Sequence, residues 1–275
     1  MKQLKVGIPL YLNTLPILSY LDTEPSRFEV VLKVPRVLND MLRNGEIQAS
    51  LSSSVVFAKE FEDYLILPDI SISAVGEVKS VIFCHNISLE ELHEKPIAIT
   101  PETESSFCLL RVLFEKFLKI KPRYTFLSCN WKDLSPEEKS NFYGYLAIGD
   151  EALTLQLNAE GMVLTDLAKL WLEFTNLPFV FAILVVKKAL AEEFEEELKE
   201  FAKAIYCARA RGLANLKAVA SKAHLNLPED FVFAYLTHLE YDFSGLKQRA
   251  FLTFCKYLKD LKVINEVPKL EFFKV

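Results

Sequence analysis

Nothing in this chain is arranged to grip a metal ion. Its five cysteines, at 84, 108, 129, 207 and 255, are odd in number, far apart and without a Cys-x-x-Cys pair, so they spell neither a zinc site nor a disulfide framework. A reduced interior is the expectation, hyperthermophile proteins being the exception to that rule. The four histidines, at 85, 93, 224 and 238, stand at no ligand spacing and support no Ser-His-Asp order; His85 alone, ending a strand-like run, is placed to face a cleft. No glycine-rich phosphate loop is present, and the chain has only eight glycines. The longest apolar run, 177–186, is about half the ~20 residues that a bilayer span needs, and Pro178 interrupts it. Pro9, Asn13 and Pro16 likewise break any signal-peptide core after Lys2 and Lys5. The expectation is a cytoplasmic protein with no membrane partner. A net charge of −5, from 32 basic and 37 acidic residues, argues against nucleic acid, which calls for a basic face.

What is present is core-forming material, since 51% of the 275 residues are hydrophobic, enough for one large domain or two modest lobes. Strand-like runs at 4–8, 28–34, 49–51, 65–74, 78–84, 97–100, 124–127, 144–148 and 179–186 alternate with helical patterns, which predicts an α/β fold with a mainly parallel sheet. One helix is bracketed by Pro35 at its start and Gly45 at its left-handed end. Another follows Thr103–Ser106, with Phe107, Leu110, Phe114 and Phe117 at helical spacing. Beyond 186, Leu190, Phe194, Leu198, Phe201 and Ile205 begin a helical region running to about 261, with a last strand at 269–274. No linker marks a boundary, so lobes are expected to be joined by strands, 78–84 outward and 179–186 back. That gives a discontinuous first lobe, 1–86 with 184–275, a second lobe, 87–183, and a ligand cleft between them.

Polar groups cluster where strands give way to helices, the usual place for ligands in open α/β sheets. Asn13 lies between the first strand and the helix-starting Pro16, its amide offering both donor and acceptor, although Asn is also an ordinary cap. Ser52, Ser53 and Ser54 are expected in the first turn of a helix, where hydroxyls and free N–H groups suit an anion. Thr103, Ser105 and Ser106 repeat this pattern, with Glu102 and Glu104 as competing caps. Asp150 follows a strand and is expected to cap a helix. Trp171, Phe179 and Phe181 read first as core aromatics, any one of which could line a pocket.

Several strings occurring in order resemble one family: Gly7-Ile8-Pro9-Leu10-Tyr11-Leu12-Asn13-Thr14-Leu15-Pro16; Val34 to Ile47; the serine cluster; Leu67 to Ala74 with Val78-Lys79-Ser80-Val81; Thr103–Ser106; Ile148-Gly149-Asp150-Glu151-Ala152-Leu153; and Leu177-Pro178-Phe179-Val180-Phe181-Ala182. The chain resembles the chorismate dehydratases of the futalosine route to menaquinone, which are built on the type II periplasmic-binding-protein fold. The likeness covers residues 4–186 and departs from the family pattern at Gln48, where an acidic residue is expected, and at Asn176, where glycine is. It implies conversion of chorismate, a dicarboxylate, to 3-[(1-carboxyvinyl)oxy]benzoate with loss of water and without a cofactor or metal. It further implies that Asn13 and Ser80 hold the reacting geometry, and that Ser53, Ser54, Thr103, Ser105, Ser106, Gly149, Asp150 and Phe179 bind the substrate. A homodimer is left open. Two alternatives stand beside this one: the 1,4-dihydroxy-6-naphthoate synthase of the same route, whose Cys-Pro-Asn-Asp type opening is missing here, and a non-catalytic receptor for small anions.

Overall fold

Leu4, Val6 and Ile8 recur at the two-residue period of a strand, and all three are buried in β1 (Leu4–Pro9) of the computed structural model, which describes residues 3–21, 27–101, 103–158 and 161–275. Ten strands follow: β2 (Phe28–Lys33), β3 (Ala49–Ser53), β4 (Tyr64–Ala74), β5 (Val81–His85), β6 (Pro96–Ile99), β7 (Arg123–Phe126), β8 (Gly144–Ile148), β9 (Val163–Asp166), β10 (Phe179–Lys187) and β11 (Leu239–Glu240). The chain divides into two units, Met1–Ser73 with Val180–Val275, and Ala74–Phe179.

The first unit carries a six-stranded sheet in the order β11-β4-β10-β3-β1-β2. β1 pairs in parallel with β2 and β3, while β10 runs antiparallel to β3. Parallel neighbours need a crossover, and the Pro35–Asn44 helix supplies the one between β2 and β3, with Pro35 in its first turn and Gly45 at φ 75° closing it, as its sequence predicts. Phe28 packs edge-on against Phe201 at 5.1 Å between ring centroids, and Phe57 packs at a tilt against Phe251 at 6.0 Å. The first contact ties β2 to the helix Glu195–Ala214, and the second ties the helix Ser54–Glu60, which follows β3, to the helix Gly245–Asp260 of the helical C-terminal region. Two expectations fail there. A short strand, β11, interrupts the helices, and residues 269–274 form no strand: Phe272 makes one isolated bridge to Ile66.

The second unit has a five-stranded sheet in the order β7-β6-β8-β5-β9. β5 is antiparallel to β8 and β9, whereas β6 is parallel to β7 and β8, so both sheets are mixed rather than mainly parallel. Its core includes Ile82, Cys84, Ala98, Tyr145, Ala147 and Ala152, with Trp131 stacked on Tyr145 at 4.7 Å. The Ser105–Arg111 helix continues into π-helical Val112–Leu118. Because β5 is paired on both sides within this sheet, it is not the outgoing connection that the sequence suggests. The chain crosses after β4 and returns at the start of β10, so the units meet at 73/74 and 179/180, where the sequence reading placed 86/87 and 183/184. All five cysteines are free. Among the described residues no helix is long and apolar enough to cross a membrane.

Candidate functional site

Parallel neighbours end at the same edge, so whatever follows β1 and β3 in the first unit is brought together there. After β1 comes a 3₁₀ turn, Leu12–Thr14. The Thr14 hydroxyl folds back onto the carbonyls of Pro9 at 2.8 Å and Tyr11 at 2.9 Å. The phenol of Tyr241 donates to the main-chain carbonyl of Asn13 at 2.8 Å, and Asn13 Oδ1 is buried without a hydrogen-bond partner. Buried polar atoms are rarely left unpaired, and an exception asks for a reason.

The serines at the end of β3 are not all in a helix turn. The ladder with β10 extends to Ala182 opposite Ser53, which holds Ser52 and Ser53 extended, and the helix Ser54–Glu60 begins one residue later. Ser54 donates to the Val180 carbonyl at 2.8 Å, tying the helix start to β10. Ser52 is 2% exposed and its hydroxyl has no partner.

In the second unit the antiparallel relation of β5 to β8 and β9, together with the parallel pairing of β6 and β8, sets four segments at one edge. Ser80 precedes β5, Thr103–Ser106 follow β6, Gly149 and Asp150 follow β8, and Asp166 ends β9. Gly149 N–H donates to the Ser80 carbonyl at 2.8 Å. Asp166 caps the helix Leu167–Thr175 through Ala168 N at 3.0 Å and Lys169 N at 3.1 Å, while its other oxygen accepts from Val78 N at 2.9 Å and Lys79 N at 2.7 Å. Burial raises the Asp166 pKa above the ordinary carboxylate value against the downward pull of those four N–H groups. The clamped residue, Lys79, is left-handed at φ 61°, and Gln156 Nε2 holds its carbonyl at 2.5 Å. The turn that delivers Ser80, itself 3% exposed, is therefore fixed at several points.

Thr103 Oγ1 accepts from Phe107 N at 3.2 Å and so does the capping work ahead of Ser105 and Ser106, both of which are buried. Glu104 stands at the cap position without a side-chain cap bond, and Glu102 lies outside the described residues. Asp150 lies inside the first turn of its helix rather than ahead of it. β8 stops pairing at Ile148, the helix opens at Gly149, and Asp150 already belongs to the first turn. Glu151 accepts from Trp131 N at 2.8 Å and from the Tyr145 hydroxyl at 2.5 Å. Burial, helped by Glu151, pushes the Cys84 thiol up to about 12. His85 is buried, with Nδ1 2.6 Å from the Ile87 carbonyl and Nε2 2.9 Å from Thr165 Oγ1. Phe179 is 1% exposed and packs edge-on to Trp171 at 5.7 Å, whose Nε1 donates to the Pro178 carbonyl at 3.0 Å. Among the described residues no group of three or more His, Cys, Asp or Glu is placed to hold a metal ion.

Sequence reasoning passed over Asp166 and Tyr241. An Asp directly before an apolar helical stretch is a legible cap signal, whereas Tyr241 reaches Asn13 from 228 residues away, with nothing local to announce it.

A family model described as menaquinone biosynthesis matches residues 4–260. The chain is 30% identical over 269 residues to the chorismate dehydratase of Thermus thermophilus, covering 90% of this chain and 94% of that one. It is also similar to the solved structure of a Candida albicans gene product described as having the generic periplasmic binding protein fold, with a TM-score of 0.69 and 13% identity over 100% of this chain and 98% of that one. The ligand-binding component of an ABC-type import system from Staphylococcus aureus gives a TM-score of 0.65 at 15% identity, over 100% and 97%. At such identities the likeness is one of fold, and that fold is the two-lobed, periplasmic-binding-protein-like α/β class that the sequence predicts.

Proposed function

Because the chain belongs to the menaquinone-biosynthesis family, we propose that it is a chorismate dehydratase, a hydro-lyase that converts chorismate to 3-[(1-carboxyvinyl)oxy]benzoate and water in the cytoplasm. The observation that carries this reading is the similarity to a chorismate dehydratase along nearly the full length of both chains. The chemistry removes the ring proton beside the enolpyruvyl ether as the neighbouring hydroxyl leaves; together they make the water, and the ring becomes aromatic. The electron pair left by the proton is conjugated with the ring carboxylate, so negative charge grows toward that group.

The protein carries a net charge of −5 and its substrate two carboxylates, so local dipoles have to outweigh the overall field. Fixed hydroxyls and N–H groups do this at little reorganisation cost. In the first unit Asn13 and Ser53 face the substrate, with Ser54 holding the helix start beside them. In the second unit Ser80, Thr103, Ser105, Ser106 and the Gly149-Asp150 turn do so, with Phe179 as an apolar support. The buried, unpartnered Oδ1 of Asn13 supports assigning this amide to the substrate. The base is the substrate's own enolpyruvyl carboxylate, held against the ring proton by Asn13 and Ser80.

The test is to mix the purified protein with chorismate and follow loss of the diene absorbance, with the product weighed by mass spectrometry. Asn13→Ala is expected to lower kcat by roughly a hundredfold, the scale of losing one preorganised polar group. An analogue without the enolpyruvyl carboxylate should bind and not turn over; its normal turnover would remove the substrate-base step. Chorismate bound and returned unchanged would overturn the enzymatic reading in favour of a receptor.

A further inference from the structure

We propose that Tyr241, in the C-terminal region, is a positioning residue for this reaction: its hydroxyl fixes the main chain at Asn13 and thereby the direction of the Asn13 amide. The inference rests on the reaction proposed above and adds a residue from a part of the chain in which no motif is legible.

The turn bearing Asn13 follows β1 after Leu10 and Tyr11 and is only three residues long. Thr14 ties it to Pro9 and Tyr11, which fixes its curl. Its remaining free carbonyl at the key residue, that of Asn13, is taken by the Tyr241 hydroxyl at 2.8 Å. Tyr241 is 1% exposed, and burial, with Tyr235 adding, pushes its phenol well above the ordinary value, so it remains a donor at any working pH.

Tyr241 is itself held. Ser71 N donates to its carbonyl at 3.0 Å, and Arg209 Nη1 approaches the same oxygen at 3.4 Å. Arg209 is anchored through its other nitrogen to Asp69 Oδ2 at 2.9 Å, and Asp69 Oδ1 accepts from Phe243 N at 3.2 Å. Asp69 sits left-handed at φ 57° in the middle of β4. A left-handed β4 position and an arginine from the Glu195–Ala214 helix thus hold the main chain at Tyr241, whose hydroxyl in turn reaches the carbonyl of Asn13, the residue whose Oδ1 is left without a partner.

The experiment is a double-mutant cycle on the full chain with chorismate as substrate. Tyr241→Phe removes one oxygen and is expected to lower kcat roughly tenfold with KM changed less than about twofold, since displacing a positioned group by a fraction of an ångström costs turnover before it costs binding. In an Asn13→Ala background the same change should leave kcat where Asn13→Ala put it, an outcome that general loosening of the fold would not produce. Arg209→Met, at a partly exposed position, is the second variant should Tyr241→Phe fail to fold, with the same direction of effect and the same silence in the Asn13→Ala background. Unchanged kcat in Tyr241→Phe, or losses that multiply with that of Asn13→Ala, would overturn the positioning role while leaving the dehydratase reading intact. An unmodified protein inert toward chorismate would overturn both.

Discussion

Asn176 sits at φ 53°, and its N–H closes the helix Leu167–Thr175 on the Leu172 carbonyl at 2.8 Å. A left-handed cap is the position where Asn is the common substitute for glycine, so the departure from the family pattern costs little. A residue with a Cβ and no local amide lacks that tolerance. Asn176→Ala is expected to lower stability by about 1–2 kcal/mol, whereas Asn176→Gly should stay within about 0.5 kcal/mol, because relief in the folded chain is offset by about 0.4–1 kcal/mol of extra freedom in the unfolded one. Urea midpoints decide it: alanine as stable as asparagine would remove the backbone argument. The other departure is as mild. Gln48 Oε1 accepts from Lys5 N at 2.8 Å, as a carboxylate oxygen would, and its Nε2 reaches toward the Gly45 carbonyl at 3.4 Å, which a carboxylate could not. Single residues were legible wherever their role is local. A run of three serines, by contrast, does not reveal which hydroxyl ties a helix to β10 and which is left unpaired, since that depends on how far the β3 ladder extends.

The helix Glu195–Ala214 approaches the helix Leu15–Leu18 through Gly212, where a Cβ would lie 2.0 Å from the Pro16 oxygen and 2.6 Å from its carbon. In an exposed helix interior, Gly→Ala gains about 1 kcal/mol. Here the added methyl meets main chain that cannot rotate away, and overpacking of this kind costs about 1–3 kcal/mol, so the sign reverses. Gly212→Ala is expected to lower the urea midpoint and, by shifting Pro16 and with it the turn that carries Asn13, to lower kcat as well. A more stable variant with full activity would show that the approach is not required. The helix was readable from its three-to-four-residue apolar period, and the close approach was not, because a glycine within a helical pattern carries no statement of what it faces. β9 and β11 escaped notice for a related reason. They are four and two residues long, and their pairing comes from neighbours rather than from any alternation of their own. The opposite error occurred at 269–274, where a strand-like composition meets the sheet at one isolated bridge.

The chain leaves the first sheet at the end of β4 and re-enters it at β10, which is β4's neighbour in the strand order. Residues 74–179 are therefore a contiguous insertion, with their own five-stranded sheet and their own core, whereas the first unit is assembled from two distant segments. The sequence reading set the second lobe at 87–183. Strand-like runs lie on both sides of residues 75–80, and only Gly76 at φ 86° and Lys79 at φ 61° punctuate them, too little to mark a boundary. A unit that closes its own hydrogen-bond ladders and buries its own aromatics has no need of the remaining chain, and about a hundred residues is an ordinary size for an independent domain. The fragment 74–179 is accordingly expected to give a dispersed amide spectrum and one cooperative urea transition on its own, its clamp of Asp166 on Val78 and Lys79 included. The corresponding loss should appear in the fragment carrying Asp166→Ala, which leaves four N–H groups unpaired and is expected to lower stability by about 1–3 kcal/mol, read as a lower urea midpoint. A collapsed, undispersed fragment would mean that the insertion borrows its stability from the segments on either side of it.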